Sequence, residues 1–164
     1  SAKLLEDDGL VTFHFVGDGS ELANCVKLAK KLKLNNVIFH GRVAAENMIP
    51  YYEMADALVV SLCGQRELSL ALPGKMQSYL AAGKPILGSA NGEVADIIRE
   101  ACCGLCAPAE DSIAFADIVR AFVASDHKHI MGRNARTYYN EHFEQAYVID
   151  TIEARLQNLA KRQS

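Results

Sequence analysis

The sequence predicts a doubly wound α/β domain, in which a parallel sheet carries helices on both of its faces. Short apolar runs alternate with helical segments over the first two thirds of the 164 residues. Each apolar run is nearly continuous, which is typical of parallel strands that are buried on both sides. The connections are short, and the right-handed crossover rule makes a Rossmann-like layer arrangement the default.

The elements follow from local patterns, taken in order. Ser20 follows the first apolar run and is expected to cap the next helix. Gly83 is expected to end the helix that begins near residue 74, because glycine adopts the left-handed conformation at helix ends. The predicted strands are residues 11–16, 37–40, 57–61, 86–89 and 104–107. The predicted helices are residues 20–32, 46–55, 75–82, 92–101, 112–125, 126–141 and 144–162.

Composition excludes several classes of protein. Half of the residues are hydrophobic and the net charge is −3, which favours one globular domain over residues 1–164 and argues against a nucleic-acid partner. The dense basic cluster in residues 27–33 is interpreted as the solvated face of a helix. No apolar run approaches the roughly 18 residues that a membrane span needs, and no signal peptide is recognised, so a cytoplasmic location is expected.

Five cysteines are an odd number for a domain of this size, and we interpret them as reduced. Cys102, Cys103 and Cys106 lie close together at a predicted helix-to-strand junction. No histidine stands at the spacing of a zinc finger, so they are expected to be small, buried apolar side chains around a turn. No metal site is predicted.

The segment 72–85 carries the strongest local signal. A loop ends at Pro73 and Gly74, and a short helix follows a predicted strand. The first amides of such a helix can hold a phosphate. The alternative is an ordinary strand–loop–helix unit that serves stability, and the local pattern leaves both open.

Six segments taken together resemble a known family. They are Val16-Gly17-Asp18-Gly19, residues 36–43, the Tyr51-Tyr52-x-x-Ala55-Asp56 run, residues 75–85, Gly92-Glu93-x-x-x-Ile97-Ile98, and Met131-Gly132-x-Asn134-Ala135-Arg136. In this order they resemble the carboxyl-terminal, nucleotide-sugar-binding domain of family 4 (group 1) glycosyltransferases. The resemblance covers residues 10–160 and implies one half of the two-domain GT-B fold.

The resemblance implies roles for several loop residues. Gly41, Arg42 and Val43 would lie beside the donor base, and the turn with Gly17 and Gly19 would form the neighbouring rim. Arg42 as a solvated loop residue and the glycine turn as a plain connection stay open. Two roles also stay open for Glu93: it would lie toward the sugar pocket, or it would compensate a helix dipole.

The central segment departs from the family pattern. Members often carry two glutamates in an E-x7-E spacing, and the second holds the donor ribose. Here Ser78 stands at the second position. Its single hydroxyl can hydrogen-bond a ribose, but it replaces the two oxygens of a carboxylate. Glu67 is the carboxylate of the loop and is the candidate catalytic residue. The phosphate seat would comprise Leu72, Gly74 and Lys75, although Lys75 could also be a surface residue.

The family resemblance also implies parts outside these residues. A first strand, two cations that neutralise the leaving diphosphate and an acceptor-binding amino-terminal domain are not recognised, so the chain alone is expected to bind weakly and not to catalyse. The implied reaction is metal-independent transfer with retention from a UDP-, GDP- or similar sugar, without a cofactor. The acceptor would be a glycan or lipid-linked, in bacterial polysaccharide or glycoconjugate synthesis, with possible peripheral membrane association.

The residues also bear on other classes of protein. A non-catalytic Rossmann-like interaction module is the alternative that Ser78 keeps open. A receiver-like fold lacks the clustered acidic pocket, and no G-x-G-x-x-G follows the first predicted strand, which disfavours NAD binding. His14 and His40 are expected to pack within strands rather than to catalyse.

Overall fold

The computed structural model describes residues 1–64, 72–145, 147, 149, 152 and 153. The strands are β1 (Phe13–Val16), β2 (Val37–Gly41), β3 (Leu58–Ser61), β4 (Ile86–Ser89) and β5 (Gly104–Ala107). The helices are α1 (Leu22–Lys31), α2 (Ile49–Met54), α3 (Gly74–Ala82), α4 (Glu93–Glu100), α5 (Ser112–Val123) and α6 (Lys128–His142). Two short 3-10 helices cover Ala2–Leu5 and Ala45–Asn47.

The strands form parallel sheets with helices on both sides, which confirms the predicted α/β class. The single sheet that the sequence suggested is in two parts within the described residues: β1 pairs with β2, while β3, β4 and β5 form the order β3-β4-β5. All pairings are parallel, and β1–β2 has an irregularity between Phe15 and Val16. Gly83 ends α3 in the left-handed conformation, as predicted.

Most of the core lies between the three-stranded sheet and the helices α3, α4 and α6. A buried cluster joins Val60 of β3 and Ile86 of β4 to side chains of these helices, among them Met76, Leu80 and Ile98. Burial of such side chains removes apolar area from water, at about 25 cal/mol per Å². This cluster fixes α3 and α4 against one face of the sheet.

A second buried cluster lies on the opposite face and reaches both sheets. It includes Leu5 at the end of the first 3-10 helix, Leu87 of β4 and Phe115 of α5. Phe13 of β1 and Ala57, which directly precedes β3, pack against it. This cluster therefore links β1 of the two-stranded sheet to β4 of the three-stranded sheet.

The motif around residues 131–136 serves the packing of α6. A Cβ on Gly132 would lie 2.5 Å from the carbonyl oxygen of Gly83, so only glycine allows this approach. Asn134 Nδ2 donates to the Cys102 carbonyl at 3.1 Å, and an Arg136 guanidinium nitrogen donates to the Ala81 carbonyl at 2.6 Å. These contacts tie α6 to the end of α3 and to the turn before β5.

Several predictions about individual elements need correction. Ser20 does not cap α1: the N-cap residue is Glu21, and no side chain bonds the first turn. The predicted helix 46–55 begins as a 3-10 turn over Ala45–Asn47, and Ile49 at the start of α2 is 61% exposed. The basic residues of α1 are exposed, as predicted. The predicted helix 144–162 falls largely outside the described residues.

The cysteine run is only partly as expected. Cys103 is buried in the core and burial raises the pKa of its thiol to about 12, whereas Cys102 is exposed. Within the residues that the structure describes, no three His, Cys, Asp or Glu side chains converge on a point that could hold a metal ion. In the same residues, no helix has both the length and the apolar character of a membrane span.

Candidate functional site

The amino-terminal turn of α3 lies at the carboxyl edge of the three-stranded sheet. The helix α3 follows β3 in the chain, begins at Gly74 and runs back toward the start of β4. At the far end of α3, Lys84 Nζ donates to the carbonyls of Glu53 and Ala55, just before β3 begins. The opening turn of α3 is therefore at the edge where parallel α/β sheets bind ligands.

This turn has no side-chain cap within the described residues. Its N-cap residue is Pro73, which has no polar side chain, and only the Met76 amide is seen to bond, to the Pro73 carbonyl at 2.8 Å. Gly74 and Lys75 are exposed, and a Cβ on Gly74 would meet nothing within 4 Å. Described side chains thus leave the first amides of α3 accessible, with a lysine beside them.

The next two helices at this edge are built differently. In α5, Asp111 caps the helix, and its carboxylate accepts from the amides of Ile113 and Ala114 at 3.1 and 2.9 Å. In α4, Glu93 and Asp96 occupy the first turn and compensate the positive end of the dipole. In contrast, the first turn of α3 has no acidic residue. Of these three helices, α3 is the one suited to an anionic ligand.

Other residues predicted for the phosphate and ribose seat are near this turn. Ser78 is exposed one turn further along α3, and Leu72 is half-buried and packs against the core cluster. Glu67, the candidate catalytic residue, lies in the segment 65–71 and so outside the described residues.

A second group of predicted residues meets at the carboxyl edge of β1 and β2. The Gly17 amide donates to the Gly41 carbonyl at 2.7 Å, which joins the two loops. Gly17 has φ = 140° and Gly41 has φ = 71°, and a Cβ on either would meet nothing within 4 Å. Arg42 forms an exposed ion pair with Asp18, at 3.7 Å between Nη1 and Oδ2. Gly19 is exposed beside this pair and Val43 is half-buried after it.

Aromatic contacts connect these two groups through α2. The His40 ring lies 5.0 Å from that of Tyr51, edge to face, and the Tyr52 ring lies 5.9 Å from that of Tyr79 on α3. Burial, and to a lesser degree Tyr52, raises the pKa of the Tyr79 hydroxyl. Through these contacts α2 connects β2, which precedes the Gly41 loop, to the helix α3 that begins at Gly74.

The two strand histidines bond to each other rather than pack in a core. His14 Nδ1 lies 2.9 Å from His40 Nε2, and His14 is exposed. The expectation of packed histidines is therefore wrong for His14. The pair joins β1 to β2 just before Gly41.

Glu93 is exposed at the start of α4, on the side of the three-stranded sheet. The pKa of the Tyr138 phenol on α6 is raised by burial first, then by Glu100, and to a smaller degree by the charge of Glu93. Compensation of the α4 dipole, one of its two predicted roles, accords with this position.

Two cavities border other parts of the chain, and the first of them reaches the carboxyl ends of β4 and β5. One of about 450 Å³ lies between α4 and β5 and is lined by Asn91, Asp96 and Arg99 among others. One of about 490 Å³ lies between α1 and β2, next to Lys30 and Lys33. Neither includes a residue of the predicted seat, which is an open surface in the described residues.

Two contributors to the site escaped the sequence analysis. Asp18 forms an exposed ion pair with Arg42, and the Gly-Asp-Gly turn that carries it was the available signal. Pro73 leaves α3 uncapped, and its position just before the helix could have indicated this, since proline offers no capping oxygen.

Residues 2–125 match the family described as Glycosyl transferases group 1. The chain belongs to this family. The match covers both loop groups and the opening turn of α3, and it confirms the resemblance that the motifs suggested. No curated protein sequence matches the chain significantly.

Solved structures share the fold. Sucrose-phosphate synthase from Thermosynechococcus elongatus aligns with a TM-score of 0.75 at 21% identity, over 98% of this chain and 42% of that one. A glycosyltransferase from Rickettsia africae ESF-5 aligns with a TM-score of 0.76 at 16% identity, over 98% of this chain and 43% of that one. TarM aligns with a TM-score of 0.66 at 18% identity, over 96% of this chain and 30% of that one. At these identities the likeness shows the fold, which is that of GT-B glycosyltransferases, and the chain spans less than half of each.

Proposed function

We propose that this group 1 glycosyltransferase chain is the donor-binding half of an enzyme that transfers a sugar from a nucleoside diphosphate sugar. The donor diphosphate would sit at the opening turn of α3, on the amides of Gly74 and Lys75 and beside the Lys75 ammonium group. The observation that carries this is the contrast among helices: α4 and α5 fill or neutralise their own amino-terminal turns, and α3 does not.

The chemistry needs stabilisation of the leaving group. As the bond to the anomeric carbon breaks, negative charge grows on the departing diphosphate while the sugar becomes oxocarbenium-like. A helix amino terminus and a lysine stabilise such charge electrostatically, without a resident metal ion or cofactor. We propose retention at the anomeric carbon, with Glu67 as the candidate group near the sugar.

The loops at the β1–β2 edge fit the nucleoside end of the donor. Gly41, Arg42 and Val43 would contact the base, and Gly17 and Gly19 would border it. The open space around Gly17 and Gly41 allows a base to approach the backbone, and Arg42 lies at this edge in an exposed ion pair with Asp18. Ser78 would contact the ribose with one hydroxyl, and Glu93 would border the sugar.

The remaining parts of the proposal concern the whole enzyme. The acceptor, a glycan or a lipid-linked sugar, would be bound by an amino-terminal domain, as in bacterial polysaccharide or glycoconjugate synthesis. Such an enzyme would work in the cytoplasm, with peripheral contact to the membrane where the acceptor is a lipid. Product stereochemistry, read from the anomeric proton by NMR, tests retention in a chain that includes both domains.

Amide chemical shifts under titration with UDP and GDP test the donor seat in the chain itself. At millimolar nucleotide, we expect the Gly74 and Lys75 amides to shift together with Gly41 and Arg42. Lys75→Glu should weaken binding about tenfold or more, equivalent to about 1.4 kcal/mol, because it replaces an attractive charge with a repulsive one.

The matched control is Lys31→Glu. Lys31 is also exposed but lies at the end of α1, which runs away from the carboxyl edge. Lys31→Glu makes the same change in net charge as Lys75→Glu. An equal loss of nucleotide affinity in both variants would mean that the net charge of the chain, and not the position of the lysine, controls binding. That result would contradict the proposed phosphate seat at α3. A folded chain without nucleotide-dependent shifts at α3 would favour a non-catalytic interaction module.

A further inference from the structure

One side of the helix α1 carries a row of lysines next to a row of leucines. Lys27 and Lys31 are one helical turn apart, and so are Leu28 and Leu32, the residue at which the helix ends. These four residues are adjacent on the helix surface, and we call them the α1 outer face. All four are exposed, with Leu28 at 55% and Leu32 at 39%. The α1 outer face therefore presents both positive charge and apolar surface.

The core does not use the apolar side of α1. The helix has no buried residue. Val26 and Ala29 line the cavity of about 490 Å³ between α1 and β2, together with Val37 and Phe39 of that strand. None of the four residues of the α1 outer face lines this cavity. The α1 outer face is therefore directed away from β2.

The lysines of the α1 outer face are not neutralised by neighbours on their own helix. On α4, in contrast, Arg99 pairs with Asp96 at 2.9 Å. Residues 22–31 include no acidic side chain, and neither Lys27 nor Lys31 forms an ion pair with another residue that the structure describes. Lys31 lies in the last turn and compensates the helix dipole, but this role does not account for Lys27 or for the exposed leucines.

An anionic bilayer matches both properties of the α1 outer face. Negative phospholipid headgroups attract lysines that lie near the membrane surface. Leucines beside those lysines can enter the boundary between the headgroups and the acyl chains, as in other helices that lie on a membrane. A nucleic acid would engage the lysines and leave the leucines in water, so the leucines favour a bilayer over a polyanion.

We propose that the α1 outer face binds the surface of a bilayer that contains anionic phospholipids. Lys27 and Lys31 contact the headgroup phosphates, Leu28 and Leu32 enter the interface, and α1 lies parallel to the membrane plane. The contact is weak, reversible and sensitive to salt. It assigns a place in the fold to the peripheral membrane contact proposed above. It does not depend on the proposed donor, because α1 contributes no residue to the seat at α3.

Tryptophan fluorescence tests whether this face enters a bilayer. The chain has no tryptophan, so Leu28→Trp introduces a single emitter on the α1 outer face. The matched control is Ile113→Trp, because Ile113 on α5 is also apolar and is 66% exposed. Each variant is mixed with vesicles of phosphatidylcholine, alone or with about 30% phosphatidylglycerol. We expect a blue shift of the emission for Leu28→Trp with the anionic vesicles only, and no shift for Ile113→Trp.

Charge variants separate this face from the net charge of the chain. Lys27→Gln with Lys31→Gln should weaken cosedimentation with the anionic vesicles about tenfold or more. Arg99→Gln with Arg133→Gln removes two positive charges from exposed positions on α4 and α6 and should weaken it less than about twofold. Added salt should reduce the binding of the unmodified chain, because it screens the lysines.

Leu28→Ser with Leu32→Ser keeps the charge and should weaken vesicle binding about threefold or more, since it removes the apolar contact. Unchanged emission of Leu28→Trp with anionic vesicles overturns the proposal, as does an equal loss of binding in the two charge variants. Binding to a single-stranded oligonucleotide but not to vesicles assigns the face to a polyanion instead. A blue shift that grows with protein concentration without vesicles assigns it to a second copy. UDP titration of the same variants without vesicles should be unchanged, so failure here leaves the donor seat untouched.

Discussion

The half of the molecule formed by residues 11–54 and the half that begins at β3 have similar sequence patterns and different packing. In residues 11–54 no apolar side chain is buried, and α1 has no buried residue although its apolar positions recur at helical spacing. From β3 onward, α3, α4, α5 and α6 all contribute to a buried core. The difference shows that an amphipathic pattern predicts an element, whereas its burial depends on what lies beside it.

The largest effect is expected from a glycine in the second half. A Cβ on Gly104 would lie 1.7 Å from the carbonyl oxygen of Ile86, so Gly104→Ala must push β5 away from β4. We expect a loss of more than about 4 kcal/mol in the free energy of unfolding, measured by urea titration. Gly19→Ala is the control from the first half, where a Cβ meets nothing within 4 Å, and it should change stability by less than about 0.5 kcal/mol. Similar losses in the free energy of unfolding of both variants would contradict the difference in packing between the two halves.

Leucine truncation should give the next largest contrast. Leu80 is fully buried on α3, and Leu28 on α1 is 55% exposed. Leu80→Ala should cost about 2–5 kcal/mol because it leaves a cavity, and Leu28→Ala less than about 1 kcal/mol. Thermal and urea unfolding of the two variants measure this. A large loss from Leu28→Ala would mean that α1 is buried in solution, for example by association.

The secondary structure was largely predictable, because it depends on local patterns. Gly83 ended its helix as expected, and Val94, Ile97 and Ile98 faced inward on α4. The break between the sheets was not predictable from these patterns, since strand order depends on which strands are present. The ion pair of Asp18 with Arg42 and the bond between His14 and His40 join residues far apart in sequence, and spacing carries no signal for them.

The smallest effect concerns the cysteines. Burial raises the pKa of Cys103 in the second half to about 12, whereas Cys25 on α1 is exposed. A thiol-specific disulfide reagent at pH 8 should modify Cys25 and leave Cys103 unmodified until the chain unfolds, as mass spectrometry of peptides can show. Because the folded chain holds the neutral thiol, the stabilising contribution of Cys103 is complete below pH 9 and declines as the pH rises toward 12. Rapid modification of Cys103 in the folded chain would contradict its burial.

UDP affinity in two variants of Pro73 tests the donor seat most directly. Pro73→Asp places a capping carboxylate where α5 has Asp111, so it should occupy the free amides of α3 and add a repulsive charge, while Pro73→Ala leaves the turn open. By NMR titration, we expect Pro73→Asp to bind UDP at least about tenfold more weakly than Pro73→Ala, with a free energy of unfolding that is higher by up to about 1 kcal/mol. Equal UDP affinity in the two variants, with the cap formed, would show that the diphosphate does not bind at α3.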